Sequence, residues 1–298
     1  MKKIKEYIMR FIQGFCMALA DSVPGVSGGT IAFLLSFYDD FINSLDRLFK
    51  GNFEEKKKAL TFLIKIGIGW VVGFLLSATI LVNLFNKKIY FMSSLFIGFI
   101  IFAIPIVISE EKKVLKGKYQ NIIFAILGCA LVIAVALLNS SSGLVKTGSL
   151  SSLTIPLAIY IFFVGMIAIS AMILPGISGS TLLLIFGLYI PIMTAIKGLL
   201  KFNFSYLPAV IIFGLGVVFG IVFFVGLIKK CLKKHRSQTI YAIIGMMLGS
   251  LYAIVLGPTT LDKPMPAMNF STFSIIAFIL GALIIFGLQA LKKIMENN

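Results

Sequence analysis

Serine, threonine and glycine occur twice in this chain in one spacing that could hold an anion. Val23-Pro24-Gly25-Val26-Ser27-Gly28-Gly29-Thr30 returns 151 residues later as Leu174-Pro175-Gly176-Ile177-Ser178-Gly179-Ser180-Thr181. Proline lacks a backbone donor and glycine tolerates positive φ, so a helix stops at each copy. The glycines after Ser27 let the backbone turn tightly and aim several N–H groups at one point. A helix is then expected from Thr30 to Tyr38. Its N-terminus would carry unpaired donors and partial positive charge, a setting for phosphate or carboxylate. The hydroxyls of Ser27, Thr30, Ser178 and Thr181 add donors. The candidate binding set is therefore Gly25, Ser27, Gly28, Gly29 and Thr30, with Gly176, Ser178, Gly179, Ser180 and Thr181. The plainer reading is close packing at a tight turn; the recurrence of the whole motif favours binding.

Asp21 is the one acidic side chain inside an apolar segment, and its counterpart in the second copy is Met172. An ionisable group there is costly and usually functional, so Asp21 is a candidate for proton coupling or for an ion pair. The alternative is a cap ordering the Ser22-Val23-Pro24 corner. Arg10, Arg47 and Lys65 are the basic residues best placed to attract an anionic headgroup; snorkelling explains each one singly. The chain has one histidine, His235, set among lysines, and three isolated cysteines, Cys16, Cys129 and Cys231. That set suggests no metal centre, disulfide or cofactor. The motif serines have no His or Lys at a recognisable catalytic spacing, so no catalytic residue is assigned.

The elements that must position these residues follow from composition. Hydrophobic residues make up 59% of the 298-residue chain, charged residues 13%, and mean hydropathy is +1.05, which excludes a soluble domain of this length. Runs near 60–84, 90–108, 121–138, 206–228, 240–256 and 271–291 are long enough to span hydrocarbon and must be helical there. The segments around the motif, 4–38 and 153–189, are apolar but broken by the Pro-Gly-x-Ser-Gly turn. Each is expected to form a re-entrant helical hairpin with arms too short to cross.

The repeat extends past the motif. At the same offset Gly14 falls on Gly165, Ala20 on Ala171, Tyr38 on Tyr189, Ile89-Tyr90 on Ile240-Tyr241 and Gly98 on Gly249. Gly67-x-Gly69-x-x-x-Gly73 returns as Gly214-x-Gly216-x-x-x-Gly220. The expected architecture is all-α and polytopic: a first repeat, 1–148, and a second, 149–298, each a hairpin plus three transmembrane helices. An odd number of crossings inverts the second repeat, as in many transporters. With both termini inside, 20 of the 27 Lys and Arg fall in cytoplasmic segments, six outside, and Lys65 within a span. That bias satisfies the positive-inside rule. It also accounts for the net charge of +16 without nucleic acid, because the charges sit in short loops. The start of the chain, Lys2-Lys3-Ile4-Lys5 to Ala18-Leu19-Ala20, mimics a signal peptide. Cleavage there would destroy one motif arm and spare its twin, so the segment is read as retained.

The paired motif, with Gly14, Ala18, Ala20, Asp21 and Tyr38 around its first copy, resembles the PopT-type family of bacterial membrane proteins. The resemblance covers essentially the whole chain. It implies transport of undecaprenyl phosphate, the lipid carrier of cell-wall precursors, back to the inner leaflet of the cytoplasmic membrane. Partners would be the polyprenyl phosphate and membrane lipids, and no enzyme activity is implied. Two rivals come from the residues themselves. A secondary transporter for a small soluble anion would use the same cradle without a lateral opening. An intramembrane lipid phosphatase would need an Arg/Lys/His cluster or a metal site, and the sequence suggests neither.

Overall fold

A computed structural model describes residues 2–21, 27–76, 82–138, 150, 153–176, 179, 182–183, 186–260 and 265–296. Among these residues the regular structure is entirely helical. The helices are α1 (Lys2–Asp21), α2 (Gly28–Leu34), α3 (Tyr38–Lys50), α4 (Phe53–Leu76), α5 (Val82–Glu110), α6 (Lys112–Leu115) and α7 (Ile122–Leu138). They continue as α8 (Ile155–Ile173), α9 (Tyr189–Leu200), α10 (Leu207–Lys234), α11 (Arg236–Leu256) and α12 (Ile275–Glu296). Within α5 the backbone breaks at Lys88 (φ −139°, ψ 45°).

Five stretches among the described residues are long and apolar enough to cross a membrane: Lys88–Glu110, Tyr119–Leu137, Ile155–Ile173, Phe204–Lys234 and Arg236–Thr259. The chain is a multi-pass membrane protein. Its helices present large apolar side chains outward, as Phe219 and Phe223 of α10 do at 63% and 61% exposure. Such faces are stable only against lipid. One length differs from expectation. α8, read as a hairpin arm too short to cross, has 19 residues and reaches crossing length.

Lipid tails are as apolar as leucine, so helices in a bilayer are held by close van der Waals approach, and glycine permits the closest. α1 packs most extensively on α4, and α8 on α10. A Cβ on Gly69 would overlap the Phe11 carbonyl oxygen; one on Gly216 would overlap that of Phe162, 151 residues on. A Cβ on Gly73 would lie 2.7 Å from Phe15 O and one on Gly220 2.6 Å from Met166 O, again at that offset. Gly67 and Gly214, which open the two glycine patterns, face empty space. The other principal pairs cross between the halves of the chain, α5 against α12 and α11 against α7. The main core joins them around Leu34, Phe37, Ile100, Ile240, Met247 and Ile285.

The expected helix from Thr30 to Tyr38 is instead two. α2 ends at Leu34, Ser36 takes φ 53°, and α3 starts at Tyr38. The Phe37 N–H closes the turn on Ala32 O at 3.0 Å, as the Leu188 N–H does on Leu183 O at 2.8 Å. Gly187, 151 residues after Ser36, has φ 65°. A serine there hides the turn that glycine marks in the other copy.

Candidate functional site

Ser27 caps α2: its Oγ accepts from the Thr30 N–H at 3.3 Å. The same hydroxyl donates to the carbonyl of Leu174, 2.9 Å away in the other motif copy. In return the Gly176 N–H donates to Thr30 Oγ1 at 2.9 Å. The two hydroxyls lie 3.3 Å apart. Because the Ser27 proton goes to Leu174 O, Thr30 is the donor between them. Ser27 and Thr30 are 0% and 1% exposed, so these are buried bonds whose loss leaves unpaired polar atoms.

Backbone fit closes the same contact. A Cβ at Gly29 would overlap the Ile173 carbonyl oxygen and lie 3.1 Å from Leu174 C. Gly176 sits at φ 90°, and a Cβ there would come within 2.6 Å of the Met246 carbonyl on α11. Two motif copies far apart in sequence thus meet, and the hydroxyls of Ser27 and Thr30 each bond across the contact.

The N-terminus of α2 already has a carboxyl group of the chain itself beside it. Asp21 Oδ1 accepts from the Gly28 N–H at 2.7 Å, and Oδ2 accepts from Trp70 Nε1 at 3.1 Å. No cation pairs with Asp21 among the described residues, so both of its carboxyl oxygens are held by neutral donors. The second copy keeps the contact and changes its chemistry. A Cβ on Gly28 would lie 2.7 Å from Asp21 Oδ2, whereas one on Gly179 would overlap Met172 Cγ. Trp70 escaped the sequence reading. It is the only tryptophan in the chain, and an indole N–H in an apolar span needs an acceptor.

Of the remaining candidates, Gly25, Ser178, Ser180 and Thr181 lie outside the described residues. Arg10, Arg47 and Lys65 make no hydrogen bond or ion pair to the loops among the described residues. Arg10 donates to Gln13 Oε1 at 3.0 Å, lies 3.9 Å from Asp40 and stacks on Phe62. Lys65 pairs with Glu6 at 2.9 Å, over the Tyr7 ring. Arg47 is exposed and 4.0 Å from Glu55.

Ion pairs across the chain, also unforeseen, tie α3 and the α5–α6 junction to α10 and α11. Arg236 meets both Asp39, at 2.8 Å, and Glu111, and Lys229 reaches Asp46 at 2.5 Å. Burial alone would raise the Asp46 carboxyl. The hydrogen bonds and charges of Lys229 and Lys50 outweigh it and hold the group below the ordinary carboxylate range.

Residues 17–272 match a family model described as VCA0040-like, undecaprenyl phosphate translocase-like. The chain belongs to that family. It is similar to a polyprenyl-phosphate transporter of Staphylococcus aureus (strain NCTC 8325 / PS 47), 37% identical over 285 residues, covering 93% of this chain and 94% of that protein. A polyprenyl-phosphate transporter of Vibrio cholerae serotype O1 (strain ATCC 39315 / El Tor Inaba N16961) is 30% identical over 259 residues, covering 84% and 78%. No solved structure matches the chain. Both motif copies fall inside the matched region of the family.

Proposed function

We propose that this protein carries undecaprenyl phosphate across the bacterial cytoplasmic membrane, returning the carrier to the inner leaflet for cell-wall synthesis. The phosphate passes at the junction of the two Pro-Gly-Ser loops. The observation that carries this reading is the buried joint itself, Ser27 to Leu174 and Gly176 to Thr30, in a member of a translocase-like family. Family membership supports the lipid substrate over a small soluble anion. Similarity to polyprenyl-phosphate transporters likewise favours transport over catalysis.

The two repeats, 1–148 and 149–298, each supply one loop. Matching glycine contacts on α1/α4 and α8/α10 support that division, as does the reciprocal exchange of helices between halves. Inversion of the second repeat, re-entrant hairpins and cytoplasmic termini fit the lysine bias. The isoprenoid tail stays in lipid, and only the headgroup needs a polar path. Tilting one repeat against the other opens the loops first to one side, then to the other.

Asp21 acts as a stand-in for the substrate's charge. While it is ionised, its carboxylate takes the Gly28 N–H and keeps the α2 end occupied. Protonation of Asp21 weakens that bond and frees the donor for phosphate, linking uptake of a proton to binding. Transport measured against pH in Asp21→Asn tests the link: the variant loses the pH response, and an unchanged profile removes the coupling role. The transport claim is tested by leaflet-resolved translocation of labelled undecaprenyl phosphate in proteoliposomes, wild type beside Ser27→Ala and Ser178→Ala, with soluble phosphate as competitor. Slowed lipid movement in both variants, unaffected by soluble phosphate, is expected. Wild-type rates in both would end the proposal.

A further inference from the structure

Away from the loops, a cleft of about 570 Å³ opens between the α5–α7 connector and the α10–α11 corner. Its walls carry Lys113, Lys118, Lys233, Lys234 and Arg236, and no carboxylate among the described residues. Arg236 is committed to Asp39 and Glu111. The four lysines make no ion pair among the described residues. Convergent positive charges without a counter-charge repel one another, and a bound anion relieves that repulsion.

The floor is polar as well. Asn121 and Ser237, both buried, line the cleft. Asn121 Nδ2 donates to Ser237 Oγ at 2.9 Å, which leaves the serine O–H to donate elsewhere. α11 begins here, and its N-cap, His235, makes no side-chain capping hydrogen bond among the described residues. Beside the cleft, Tyr119 is 72% exposed, and Ile122, Ile123 and Ile126 of α7 face outward. An exposed tyrosine next to lysine and leading into a lipid-facing stripe marks the membrane–water boundary.

We propose that this cleft is a second phosphate-ester site, separate from the transport loops. Its position at the edge of the lipid-facing α7 stripe points to the headgroup of an anionic phospholipid, whose chains lie along Ile122 and Ile126. Basic pockets between helices at a membrane surface bind such headgroups in general. The site does not depend on what the loops carry.

The test uses delipidated full-length protein in neutral detergent. Native mass spectrometry and thermal unfolding follow titration with phosphatidylglycerol, phosphatidylcholine or glycerol 3-phosphate. The variants are the triple Lys113→Gln, Lys233→Gln, Lys234→Gln, and a control with the same charge removed elsewhere, Lys56→Gln, Lys57→Gln, Lys58→Gln. Wild type and control should bind phosphatidylglycerol over phosphatidylcholine, and the triple variant should bind it at least about tenfold more weakly. Equal protection by glycerol 3-phosphate, lost in the triple variant alone, supports the phosphate-ester site and assigns it a soluble ligand. The proposal is overturned if both variants weaken alike, which is diffuse surface charge. It is overturned irrespective of any variant's folding if wild type neither prefers phosphatidylglycerol nor responds to glycerol 3-phosphate.

Discussion

Replacing Thr30 with valine keeps the shape of a fully buried side chain and removes the acceptor of the Gly176 N–H. A buried donor left without a partner costs about 1–3 kcal/mol; the bond that Thr30 donates to Ser27 is lost as well, and burial of the new methyl offsets part of the total. Thr30→Val should therefore destabilise the protein by about 2 kcal/mol, while Thr30→Ser, which restores the hydroxyl, should recover most of that. Ser27→Ala removes a cap worth about 1 kcal/mol together with the donor to Leu174 O, for about 1–2 kcal/mol in all. Since the two hydroxyls are 3.3 Å apart and serve one joint, the double variant should fall short of the sum by about 0.5–1 kcal/mol. Unfolding by SDS titration in mixed micelles measures all four proteins on one scale. A neutral Thr30→Val, or strict additivity, would refute the claim that the two loops are fastened to each other.

Three further outcomes follow from the geometry. Gly69→Ala and Gly216→Ala should each destabilise by about 1–3 kcal/mol through overlap with a carbonyl oxygen, whereas Gly67→Ala and Gly214→Ala, facing open space, should be tolerated; the same titration separates the two pairs. Asp46→Asn should cost about 1.5–3 kcal/mol at neutral pH, since the carboxylate accepts from a charged partner. Its folded-state pKa lies below the unfolded value, so this stability is present above about pH 4 and is lost as pH falls through the lowered value; unfolding compared at pH 7, 5 and 3 should show the two proteins converging only at the acid end. Arg236→Lys should also destabilise measurably, because one ammonium cannot reproduce the forked contacts to Asp39 and Glu111.

The sequence alone already disclosed the helical membrane class and the paired loops, because hydropathy and a 151-residue recurrence are local, countable signals. It also marked Asp21, conspicuous as the one carboxylate in an apolar run. The glycine pattern Gly67/Gly69/Gly73 was legible as a motif, but which glycines touch a neighbour depends on helix rotation, and that only the packing reveals. The break at Ser36 was hidden because serine does not announce positive φ; aligned against Gly187 it could have been found. The ties of Arg236 to Asp39 and Glu111 span 197 and 125 residues, and no periodicity encodes a pair so distant. The sequence offered the hydroxyls of Ser27 and Thr30 as donors, but not the bonds that each makes to the opposite loop. Spacing shows which groups can donate; the folded neighbours decide to what.

The most direct measurement is photo-crosslinking with undecaprenyl phosphate bearing a reactive group next to its phosphate, on transport-competent protein in liposomes, with the modified peptides read by mass spectrometry. The account predicts labels on residues flanking both loops, around 21–30 and 174–183. Labels confined to the lysine-rich cleft or to the lipid-facing helices would contradict it.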